Sequence, residues 1–292
     1  MRNRSLKCAL ALSCSLLAAA AYAAPPTESS KNVPFADADH ASCSLAQGVK
    51  GVSTKILSGG NITSHGGPVM TGAVKVVLIF WGPNFNNAAS ADYAYAHTLR
   101  NFRDHFGTSA EYNVITQYSG ITLSNLGTGT PDWFDTSTPP TNVTDSIVRS
   151  KVNSYLATHA FDSKTIYTVA IPATSYSSNG ASTSCGGPSL AYCAYHGWIG
   201  SGTSATKYII LPYPSCSGCM VSGWSAVQNA EHILGNEIID TVTNPTGLGW
   251  YDSSGLEVAD KCAFSPSPYI GTDGYAYQNV WSNMTGSCVR TR

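Results

Sequence analysis

The chain has 292 residues, of which 11% are charged, with a formal net charge of −1. A chain this long can bury a full core in one large domain. With no basic stripe to neutralise phosphates, the composition excludes nucleic acid as a natural partner, and the surface must be built from Ser, Thr, Gly, Asn and Tyr.

The first residues read as an export signal. Arg2, Arg4 and Lys7 form a basic start, Ala9 to Ala21 is an apolar run too short to span a membrane, and Ala21-Tyr22-Ala23 fits a small-x-small cleavage site. Residues 1–23 are therefore expected to be a signal peptide and the mature protein secreted or periplasmic, with no membrane span. Cys8 and Cys14 leave with the signal. Cys43, Cys185, Cys193, Cys216, Cys219, Cys262 and Cys288 remain of the nine cysteines. In an oxidising compartment most of these pair, and the odd count leaves one free or intermolecular. Cys216-Ser-Gly-Cys219 lacks a second such pair for a zinc site, so its cysteines are expected in structural disulfides.

Residues 24–55 read as a polar N-terminal arm, and 56–292 as one globular domain. Val74 to Trp81 is a nearly unbroken β-branched and aromatic run, expected to be a strand buried on both faces. Ser90 to Phe106 follows as a helix, with Tyr95, Leu99, Phe102 and Phe106 on one face. A short helical piece is expected near Ala110–Tyr118. Residues 119–142, rich in Gly, Thr and Pro, read as a surface loop. Thr144 to His159 reads as a second helix. Thr165–Ile171, Ala191–His196 and Lys207–Leu211 read as strands. A third helix spans Ser222–Val242 and stops at Asn244-Pro245, because proline cannot continue it. The tail is loop-rich, with a short strand at Tyr275–Trp281. Alternating strands and helices imply an α/β layered fold with a mixed sheet.

The third helix carries the candidate chemistry. At 100° per residue, His232, Asn236 and Asp240 fall at about 0°, 40° and 80° around it, while Val227, Ala230, Leu234 and Ile238 cluster on the neighbouring apolar face. In a zinc-protease helix, ligands at i and i+4 share a face and the intervening Glu is the base. Asn236-Glu237-Ile238-Ile239-Asp240 has that layout, with Glu237 in the place of the base. Glu257 and Asp260, in Glu257-Val258-Ala259-Asp260, are candidates for further ligands, as is Asp252. His232 could join only Asn236, since it stands about 12 Å along the axis from Asp240. The bland alternative is an amphipathic helix with a wet polar face. The implied cofactor is one divalent metal, zinc or calcium, with none as the alternative. An Asn/Asp/Glu oxygen set suits calcium better than zinc. His196 is a further candidate beside the helix. The Cys193/His196 spacing along a strand would put the two on opposite faces, against a thiol–imidazole pair. Neither a G-x-S-x-G elbow nor a G-x-G-x-x-G turn is present.

Several segments together resemble the EXORDIUM / phosphate-induced-protein family of secreted proteins, in particular its bacterial relatives. They are Gly66-Gly67-Pro68-Val69-Met70 with the VKVVLIFWG strand, Tyr112 to Tyr118, Cys193-Ala194-Tyr195-His196, Trp250-Tyr251, Glu257 to Cys262, and Trp281-Ser282-Asn283. The resemblance runs from about Gly66 to Cys288. It implies a growth- and wall-associated protein at the cell exterior, with a helix of the form H-E-x-x-E ending in T-N-P or T-D-P. Glu237, Asp240 and Thr243-Asn244-Pro245 match that form and Asn236 replaces its histidine. A zincin-like frame with a degenerate site, weakly catalytic or non-catalytic, is the expectation. An active metal-dependent peptidase using Glu237, and a wall- or glycan-binding protein using its aromatic surface, are the alternatives. The partner is expected to be an extracellular protein or polysaccharide.

Overall fold

The computed structural model describes residues 60–127, 129 and 131–292. The expected signal peptide, the N-terminal arm, residues 56–59 and Cys43 lie outside these.

A five-stranded sheet forms the middle layer. Its strands are β1 (Lys75–Trp81), β2 (Trp133–Asp135), β3 (Thr165–Ile171), β4 (Tyr195–Ile199) and β5 (Thr206–Pro212), in the order β2-β1-β3-β5-β4. The first four in that order are parallel, and β4 closes the edge antiparallel to β5. Helix α1 (Ala91–Phe106) links β1 to β2, and α2 (Asp145–Leu156) links β2 to β3 on the other side of β1. Right-handed crossovers in opposite directions put the two helices on opposite faces. Accordingly Val76, Leu78 and Phe80 pack with α1, and Val77, Ile79 and Trp81 pack with Val148, Val152 and Tyr155 of α2. The result is a mixed α/β fold with helices on both faces of the sheet.

Helix α3 (Ala226–Thr243) shares the α1 face. It starts later than Ser222 because Ser225 caps it in a box with Gln228: Ser225 Oγ accepts from Gln228 N at 3.3 Å, and Gln228 Oε1 accepts from Ser225 N at 2.9 Å. Gly235 lets α1 approach closely, since a Cβ there would stand 3.1 Å from the Phe106 ring. Every residue from Asn229 to Thr243 is buried. The wet polar face considered from sequence is therefore absent. A C-terminal layer covers it, running from the short 3-10 turn Asp260–Cys262 to the hairpin Val280–Ser282/Ser287–Val289.

Three other expectations need correction. The supposed loop 119–142 contains β2, which is only three residues long and so leaves little periodic signal. The Ala191–His196 strand is shifted to Tyr195–Ile199, and the Tyr275–Trp281 strand splits into Ala276–Tyr277 and Val280–Ser282. Among the described residues six cysteines pair, as Cys185–Cys216, Cys193–Cys219 and Cys262–Cys288. Closing loops of 26 to 31 residues, each restricts the unfolded chain by about 3–4 kcal/mol in the chain-entropy account. Disulfides of this kind fit an extracellular protein. No helix among the described residues is long and apolar enough to cross a membrane.

Candidate functional site

Three of the carboxylates singled out by sequence meet beneath the C-terminal layer. Asp240, Glu257 and Asp260 each offer an oxygen, and these oxygens all lie within 4.8 Å of one another. All three residues are buried, at 0%, 3% and 6% exposure. The turn after α3 makes this possible. Asp240 Oδ1 accepts from Ala259 N at 2.7 Å and Oδ2 from Asp260 N at 3.2 Å, so the helix grips the backbone that carries Asp260. Asn244, which ends α3, donates from Nδ2 to Glu257 Oε1 at 2.5 Å and accepts Gly249 N on Oδ1 at 2.6 Å. The Thr243-Asn244-Pro245 stop thus does more than end a helix: Asn244 aims Glu257.

His196 comes from the edge strand. Tyr195 packs on the α2 side, so alternation turns His196 toward α3, where Nε2 meets Glu257 Oε2 at 3.0 Å. Its ion-pair partner is thus Glu257, which follows α3 in the chain. Cys193 precedes the strand, so the alternation argument does not reach it. It lies on the α3 side as well, in its disulfide with Cys219.

Beside the three carboxylates is a small cleft of about 20 Å³, lined by His232, Asn236, Glu237, Asp260, Phe264 and Gln278 among others. Glu237 is 2% exposed and its Oε2 has no hydrogen-bond partner. Asn236 donates from Nδ2 to Asp260 Oδ1 at 3.3 Å. His232 reaches the cleft but not the converging oxygens. It stands edge-on to Trp224 and to Phe264, at ring-centroid distances of 5.8 and 5.3 Å, with neither ring nitrogen paired. Asp252, the other sequence candidate, is outside the cluster. It forms a fully buried ion pair with Lys261 at 2.6 Å, with Lys261 Nζ also 4.6 Å from the centre of the Trp281 ring.

The electrostatics are those of anions crowded out of water. Burial, then Asp260 and Glu257, hold the Glu237 carboxyl well above the usual range. Burial and the same two neighbours do so for Asp240, against the hydrogen bond from Ala259. Burial and then Glu257 push Asp260 up to about 7. Burial pulls the His196 ring down, but the charge and hydrogen bond of Glu257, helped by Asp260, outweigh it and the net shift is upward. Four acids thus face one imidazole, and Lys261 is committed to Asp252. Carboxylates brought together in this way take up either protons or a cation. A donor set of oxygens fits a hard divalent ion. It does not fit the nitrogen- and sulfur-rich sphere of a structural zinc. A second cluster, Cys185, Cys216 and Cys219, is fully engaged in disulfides and offers no metal thiolates.

The aromatic surface gives less. A shallow depression is lined by Tyr118, Trp250, Gln117, Asn283, Met284 and Arg292. Gln117 accepts Met284 N at 3.1 Å and donates to Val114 O at 2.7 Å, while Asn283 spans Ile62 N and O at 3.0 and 2.6 Å. The amides a sugar would use are thus engaged within the protein.

Comparison of the chain with protein-family models, with curated proteins and with solved structures returns no match.

Of the residues singled out by sequence, Asp240, Glu257 and Asp260 converge, Asn236 bonds to Asp260, and Glu237 lines the adjoining cleft. Sequence reasoning missed Asn244 as the residue that orients Glu257. The signal was present in Thr243-Asn244-Pro245, since an Asn at a helix end has a side chain free to bridge to the next segment.

Proposed function

We propose that this is an exported, EXORDIUM-like protein whose zincin-like helix holds a divalent cation and does not cleave peptides. In this reading the cation neutralises Asp240, Glu257 and Asp260 and fastens the C-terminal layer to α3, and the protein acts as a non-catalytic factor at the cell exterior. The observation that carries it is the convergence of three buried carboxylate oxygens within 4.8 Å. The unpartnered Glu237 Oε2 beside them supports it independently. A cleft of about 20 Å³ has room for roughly one water, far less than a scissile peptide needs. Asp240, whose oxygens already hold two backbone N–H groups, is placed as a structural strut. The resemblance to secreted EXORDIUM-type proteins supports the extracellular setting.

A second reading has one specific observation in its favour. Glu237 lines the cleft with Asp260 and carries an unsatisfied carboxyl oxygen, as a base acting on cation-bound water would. Elemental analysis of the tag-free, disulfide-intact protein, with a peptide-cleavage assay on the same sample, separates the two. The proposal expects one divalent cation per chain, lost in Asp260→Asn, and no cleavage. Cleavage that disappears in Glu237→Gln would establish the peptidase reading instead.

A further inference from the structure

We infer that Asn236 sets the cation preference of this centre, making it a calcium site that discriminates against zinc. The inference rests on the cation centre proposed above. Asn236 precedes Asp240 by one helical turn, is 6% exposed, and stands with its amide 3.3 Å from Asp260 Oδ1. Its oxygen and nitrogen are nearly isosteric, so a half-turn of the amide presents Oδ1 where Nδ2 now lies. In that orientation Asn236 supplies a neutral, hard oxygen as a fourth ligand.

The surroundings favour calcium by ligand chemistry. Calcium accepts six to eight oxygens at 2.3–2.6 Å, so ligands on opposite sides of it stand about 4.6–5.2 Å apart. The carboxylate oxygens here all lie within 4.8 Å of one another, inside that span. The imidazole of His196 is held by Glu257, and that of His232 lies against Trp224 and Phe264. Neither imidazole is among the groups whose ligand atoms converge with the three carboxylates. Glu237, whose Oε2 is buried and unpartnered, lines the same cleft and offers a further oxygen for calcium's larger sphere, directly or through one water. A histidine at 236 would restore nitrogen at i and carboxylate at i+4, the spacing by which zinc helices place two ligands on one face.

The test is calorimetric titration of the tag-free, disulfide-intact full chain, stripped of metal, with calcium chloride and separately with zinc chloride. Wild type is expected to bind calcium more tightly than zinc. Asn236→His is expected to move the zinc-to-calcium affinity ratio toward zinc by at least about tenfold. Asn236→Asp adds an anionic hard oxygen and should keep the calcium preference. It supplies the answer if the histidine variant fails to fold, as judged by circular dichroism. Tighter zinc than calcium in wild type overturns the inference. So does a ratio unmoved in Asn236→His, or a calcium preference lost in Asn236→Asp. In those cases the centre itself still binds a cation. Wild type binding neither ion overturns the centre and the inference together.

Discussion

His232 and Glu111 are both buried titratable groups outside the carboxylate cluster, and they set opposite pH dependences. Burial of the His232 ring, 1% exposed, pulls its pKa down to about 3. An ordinary histidine titrates near 6.5, so the unfolded chain binds a proton that the folded one refuses. The stability His232 contributes is complete above about pH 6.5 and is lost as pH falls toward 3. His232→Phe is expected to fold and to flatten the acid side of the melting-temperature profile, as a thermal-unfolding series from pH 7 to pH 4 would show. An unchanged acid slope would place the titrating group elsewhere. Burial raises Glu111 well above its usual value, only partly offset by the Gln278 backbone. Its contribution is therefore complete below the ordinary glutamate pKa and lost as pH rises through the folded value. Glu111→Gln should melt higher than wild type at pH 7 and no higher at pH 4. At this scale the sequence revealed what lies on one helix: a 100° step places Asn236 and Asp240 together. It could not reveal the contact between His196 and Glu257, which are 61 residues apart and meet only through the fold.

Elements were legible where burial was two-sided or strongly periodic. β1 and β3 are runs rich in apolar, β-branched and aromatic residues because helices cover both faces, and α1 shows its core stripe at spacings of three and four. β2 was hidden because its register is set by pairing with Ile79, Phe80 and Trp81 and not by any pattern of its own. The polar stripe of α3 was read correctly, but what covers it was not. A layer built from turns and strands of two or three residues has no period to detect. That layer depends on Lys261, which is 0% exposed and paired with Asp252. Removing one partner of a buried pair leaves a bare charge, so Lys261→Met should cost about 3–5 kcal/mol in denaturant unfolding. The double variant Asp252→Asn/Lys261→Met should recover part of the loss. If the single variant is as stable as wild type, the pair is not what anchors this turn.

For the whole molecule, the sheet and α1–α3 form a conventional layered body, and the C-terminal layer is a cover. The Cys262–Cys288 disulfide ties two parts of the cover to each other. The cover is joined to the body by Asp240, which grips Ala259 and Asp260, by Glu231, which accepts Ala276 N at 2.9 Å, and by Tyr118, which donates to Trp281 O at 2.9 Å. Removing cation with chelator, with the disulfides intact, is expected to speed proteolytic cutting within residues 245–292 while the sheet stays protected. Mass spectrometry of the fragments would locate the cuts. Equal cutting with and without chelator would mean that the cluster does not hold the cover.

Whether the cluster is a cation centre is decided by calorimetric unfolding of the metal-stripped protein over a series of calcium concentrations, beside Asp260→Asn. A ligand that binds only the folded state stabilises it by about 2.7 kcal/mol at a hundredfold excess over its dissociation constant. Wild type should therefore melt progressively higher as calcium rises, and Asp260→Asn should not respond. A wild-type melting temperature indifferent to calcium, or an equal rise in Asp260→Asn, would contradict the account.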